Sequence, residues 1–114
     1  MMKDLFEKYT DSEIMKYYSN LTVSGRQITR TILLTMTKVR AIYEGDIQVE
    51  FDEIQEMYMM IEKLIPEEIW QEICECFEQD KENVDLVLEM SQAQENTVVV
   101  GIVMLMKLYE GMQG

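Results

Sequence analysis

SGRQITRTILLTMTKVRAIY, residues 24–43, stands apart from the rest of the chain in both charge and period. Between Glu13 and Glu44 no acidic residue occurs, whereas Lys16, Arg26, Arg30, Lys38 and Arg40 all fall there. At about 100° per residue, Ile28, Ile32, Thr35, Met36, Val39, Ile42 and Tyr43 share one face of a helix. Arg26, Arg30, Lys38 and Arg40 occupy the opposite arc, about 160° wide, with Leu33, Leu34 and Thr37 among them. One face is therefore a core face. The other suits a partner, or the acidic remainder of the same molecule.

Upstream, Met2 to Tyr9 fits a short helix with Leu5, Phe6 and Tyr9 inward. Thr10 and Glu13 have the spacing of a capping box for a second helix carrying Ile14, Tyr17, Tyr18 and Leu21 on one side. Ser19 to Val23 reads as a turn, and Ser24 as the N-cap of the basic helix. Gly45 is placed to end that helix in a left-handed conformation.

Downstream, Asp46 is a candidate cap, and Ile47, Phe51, Ile54, Tyr58, Ile61 and Ile65 recur at spacings of four and three. That seam favours a helix over the strand that Ile47, Val49 and Phe51 also permit. Pro66 stops it and suits the first position of the next helix, whose buried side is Ile69, Trp70, Ile73 and Phe77. Gln79 to Asn83 is a polar turn. Asn83 then caps a helix with Val84, Val87, Leu88 and Ser91 inward, fraying into Gln92 to Asn96. Thr97 to Glu110 is apolar nearly all round and closes at Gly111. Residues 97–106 suit a strand as well as a helix, because Val98-Val99-Val100 is β-branched. The expectation is an all-α fold: five or six helices in one domain, packed around the 46–65 seam and an apolar C-terminal helix.

Composition agrees. With 114 residues and 47% hydrophobic content, the chain can bury a core despite a net charge of −12. One proline and five glycines are too few for a loop-rich all-β protein. Charge is divided: residues 1–43 carry a net +3 and residues 44–114 a net −15. The whole should be repelled by nucleic acid and anionic membrane and attracted to basic protein surfaces. The N-terminus lacks a signal-peptide apolar region, and the long apolar run Val98 to Met106 is about half of what a bilayer span needs. A reducing, cytoplasmic compartment is expected. There the glycosylation sequon Asn20-Leu21-Thr22 carries no meaning.

Missing residue types narrow the function classes. The chain has no histidine, hence no Ser-His or Cys-His dyad and none of the commonest transition-metal ligand. No glycine-rich phosphate loop is present. Asp80 to Glu89 resembles a calcium loop, but Asp85 stands where its glycine belongs. Cys74 and Cys76 would lie on different sides of a helix, which fits two small buried hydrophobes better than a disulfide or a metal site. No catalytic residue, cofactor or metal is expected.

What remains is charge. Glu56, Glu68, Glu72 and Glu75 are the candidate residues of an acidic face, the last three in one stripe at spacings of four and three. Such a face either solubilises the protein or meets a basic cleft, where its carboxylates stand in for phosphates. Arg26, Arg30, Lys38 and Arg40 form the second candidate surface. They pair with the acidic half, meet a second copy, or act in a helix-turn-helix spanning residues 13–40. Val99, Val103 and Met106 are candidates for self-association if the apolar segment serves a homodimer. The favoured reading is a non-enzymatic, acidic interaction module. It binds or inhibits a protein with a basic surface, in its most concrete form as a nucleic-acid mimic of the kind a phage or mobile element encodes. The alternative is a small DNA-binding regulator.

Overall fold

A computed structural model describes residues 2–19, 23–91 and 97–113. Leu21, most of the expected turn, the sequon and the fraying segment Gln92 to Asn96 lie outside the described residues. Seven α-helices are described rather than five or six: α1 Met2–Lys8, α2 Asp11–Ser19, α3 Val23–Tyr43, α4 Phe51–Leu64, α5 Glu67–Gln79, α6 Val84–Ser91 and α7 Thr97–Gln113. A single 3-10 turn, Lys81–Asn83, separates α5 from α6, and no strand occurs among the described residues. No described helix is long and apolar enough to cross a membrane.

The centre of the globule is α7. Val98 to Met106 are all buried, and α3 and α4 form its principal walls, with α2, α5 and α6 completing the cover. A segment apolar on every side has no solvent face to give up, so packing decides between strand and helix, and here it is a helix. Gly101 faces Met36 and lets α3 and α7 approach closely. Ile32, Met36 and Val39 are buried on the predicted face of α3, with Ile28, Thr35, Ile42 and Tyr43 half-buried. On α4, Ile54 and Ile61 are buried, as is Ile65 just beyond it.

Several boundaries differ from expectation. α3 starts at Val23, so Ser24 lies inside its first turn rather than capping it. At its other end Gly45 has φ +82°; Gly45 N–H donates to Ile42 C=O at 3.1 Å and Asp46 N–H to Ala41 C=O at 2.9 Å. This Schellman closure commits Asp46 to ending α3, so it does not start α4. The chain turns and bends through residues 44–47 and re-enters a helix only after Glu50, the extended N-cap of α4, and Ile47 is left exposed. Pro66 is the N-cap of α5 rather than its first residue, with ψ 134°. Asn83 belongs to the 3-10 turn. Gly111 does not stop α7: its surroundings are open and its φ is not left-handed, so the helix runs on to Gln113.

Side chains distant in sequence tie the helices together. The Asp11 carboxylate, at the start of α2, accepts the N–H groups of Thr97 at 3.0 Å and Val98 at 2.8 Å. It thereby satisfies two of the free donors at the positive end of α7. Buried Asp80 accepts the Met2 N–H at 2.5 Å and anchors α1. Tyr109 stacks on Tyr58, with ring centroids 4.4 Å apart, and on Phe51 at 5.7 Å, while Trp70 meets Tyr58 edge-on. The half-buried rings of α4 thus hold the last turns of α7.

Candidate interaction surfaces

Residues 51–79, spanning α4 and α5, hold nine carboxylates against one lysine, Lys63. Helix periodicity gives their apolar residues to the core and turns the carboxylates outward. Asp52, Glu53, Glu56, Glu62, Glu67, Glu68, Glu75 and Glu78 are all exposed. Glu56, Glu68 and Glu75 have no ion pair among the described residues, whereas Glu53 meets Lys38 at 3.8 Å and Glu78 meets Lys81 at 3.7 Å. Exposed pairs of that length add little stability.

Glu72 is different. It is half-buried, accepts a hydrogen bond from the Tyr9 hydroxyl, and takes Lys8 Nζ at 3.0 Å on both oxygens. The Tyr9 bond, then the Lys8 bond, hold its carboxyl below the usual range. The middle member of the predicted stripe therefore fastens α1 to α5, and Glu68 and Glu75 flank it. A separation of 64 residues along the chain gave no signal of this pairing. The same holds for Asp85, which Lys107 and Tyr43 both contact, and for Lys81 with Glu110 at 2.6 Å.

The basic helix divides in two. Lys38 turns toward Glu53, and Arg40 is half-buried. Arg26 and Arg30 are exposed and have no ion pair among the described residues. They border a groove of about 640 Å³ between α2 and α3, together with Met15, Tyr18, Leu33 and Leu34. Tyr18 is buried, and its hydroxyl has no hydrogen-bond partner among the described residues.

Val99 and Val103 are fully buried and Met106 nearly so, all within one chain. Their surface is spent on the intramolecular core, leaving none of it for a second copy. Cys74 and Cys76 are free and half-buried, and burial pushes both thiols up, away from the reactive thiolate. Among the described residues no group of three or more histidine, cysteine or carboxylate side chains is arranged to hold a metal ion. The surfaces brought together here are thus one acidic face and one apolar groove edged by arginine. Comparison of the chain with protein-family models, with curated proteins and with solved structures gave no match.

Proposed function

We propose that this chain is a non-enzymatic interaction module whose α4–α5 face binds and inhibits a protein with a basic surface. The supporting observation is the exposure of Glu56, Glu68 and Glu75 with no ion pair among the described residues, on a stretch, residues 51–79, holding nine carboxylates and one lysine. A surface with so few compensating cations carries a strong negative potential and steers basic partners toward it. Helix periodicity also places the carboxylate-bearing residues in rows. That favours the most specific form of the proposal, a mimic of the nucleic-acid backbone that occupies the cleft of a DNA- or RNA-handling enzyme.

Affinity capture from the native host tests this, using the full chain and a Glu56→Lys, Glu68→Lys, Glu75→Lys variant. Exposed substitutions seldom cost much stability, so circular dichroism should be unchanged while the captured partner is lost. Duplex DNA should compete for that partner. Retention of the same partner by the reversed variant overturns the proposal.

One observation favours a second reading, a helix-turn-helix regulator. α2 precedes α3, and Arg26, Gln27 and Arg30 are exposed near the start of α3. The net charge of −12 opposes phosphate binding. A gel shift on random duplex DNA at low ionic strength separates the two, with no retardation expected.

A further inference from the structure

The acidic face leaves unused a second surface of opposite character. Arg26, Arg30, Leu33 and Thr37 follow one another along α3 at spacings of four, three and four, so they form one outward ridge. Beside this ridge lies the groove of about 640 Å³, with Met15 and Tyr18 of α2 on its far wall. Leu34 is 65% exposed and Leu33 38%, and Tyr17 and Val23 of the same helix pair are exposed as well. Leu33 and Leu34 line the groove itself, between Met15 and Tyr18 on one side and Arg26 and Arg30 on the other. Scattered exposed hydrophobics need no explanation, but a cluster rimmed by charge marks a contact surface.

The arginines supply the second observation. Arg26 and Arg30, like Lys16, Arg40 and Lys63, meet no carboxylate among the described residues, and unlike those three they line the groove. Among the described residues these two guanidinium groups thus stand unpaired beside an apolar groove. Guanidinium groups of this kind recognise carboxylates through paired hydrogen bonds.

We infer that the α2–α3 groove docks an amphipathic, acidic helix of another protein. The occupant's apolar face covers Leu33, Leu34, Met15 and Tyr18, and two carboxylates about one turn apart meet Arg26 and Arg30. A helix fits because side chains in rows of four and three interlock with a helix of the same period. Nucleic acid gains little from Leu33 and Leu34, since its binding rests on phosphate contacts. A second copy brings another net charge of −12 against this one. A short acidic helix carries the matching charge with far less repulsion.

A displayed library of random helical peptides, selected on the full chain and counter-selected on Arg26→Glu/Arg30→Glu, tests this. The expected survivors place an apolar stripe beside two carboxylates three or four residues apart. Their affinity should fall at least about tenfold on the double variant and again on Leu34→Asp, with helicity unchanged. Absence of enrichment, enrichment of basic peptides, or equal binding to Leu34→Asp overturns the inference. So does retardation of random duplex DNA that the arginine variant abolishes. Light scattering that shows a dimer lost in Leu34→Asp assigns the groove to a second copy and equally overturns it.

Discussion

Gly101 of α7 lies so near Met36 of α3 that a methyl group on it would sit 2.5 Å from the Met36 sulfur and 2.9 Å from the Met36 Cβ. The sulfur is at the end of a flexible side chain, but the Cβ moves only with its backbone. Overpacking should cost Gly101→Ala about 1–3 kcal/mol, offset by the ~1 kcal/mol that alanine gains in a helix, for a net loss of up to about 2 kcal/mol. Met36→Ala alone should cost about 2–5 kcal/mol as a buried cavity. Met36→Ala removes the sulfur and Cγ but keeps the Cβ at 2.9 Å, so the double variant should exceed the sum of the two only by the share those two atoms cause, about 0.5 kcal/mol or more. Urea midpoints of the four proteins measure that coupling, and simple additivity contradicts the close approach.

Val103 separates a core helix from a surface one. It is fully buried within a single chain, so Val103→Glu places a carboxylate where nothing solvates it. The cost is several kcal/mol, a large part of the stability of a small domain. The variant should lose its cooperative thermal transition. A folded, merely dissociated variant in light scattering would show that this segment serves an interface instead.

Asp11 joins the start of α2 to the start of α7 by accepting two backbone N–H groups. Asp11→Ala should cost about 0.5–2 kcal/mol, the range of an N-cap deletion, and Asp11→Asn, which retains one acceptor oxygen, less. Amide hydrogen exchange should accelerate first at Thr97 and Val98. Unaltered exchange there would argue against this cap.

Tyr43 and Tyr58 should make the fold less stable at alkaline pH. Burial is the main cause that pushes each to about 12; the Asp85 bond adds to Tyr43 and the nearby Cys74 to Tyr58. In the unfolded chain both ionise near about 10. Their contribution is complete below that pH and is lost as pH rises from about 10 toward about 12, because the unfolded state releases its protons first. Tyr58→Phe should flatten the fall of stability with pH over that window in urea titrations. An unchanged slope would exclude Tyr58 as a source.

Periodicity revealed the core face of α3 and the seam of α4, since both helices keep a solvent face against which the apolar stripe stands out. It was silent for α7, where Val98 to Met106 have no polar side to set a phase. The start of α4 was misplaced because Ile47 continues the spacing of Phe51 and Ile54 by accident, while the Schellman closure at Gly45 turns the chain out of the helix. Of the acidic face, exposure of Glu56, Glu68 and Glu75 followed from the pattern. The engagement of Glu72 by Lys8 and Tyr9 did not, because only the packing of α1 on α5 brings them together.

The central position of α7 also has a consequence for biosynthesis. Residues 97–113 are the last of the described helices to leave the ribosome, and they are the ones around which α2 to α6 assemble. Until they emerge, the inward faces of α3 and α4 have no common wall to cover. The nascent chain therefore waits with its apolar surface open to chaperones and to other chains. A truncation ending before Thr97 should behave on the bench as that waiting chain does, helical in part but without a cooperative transition.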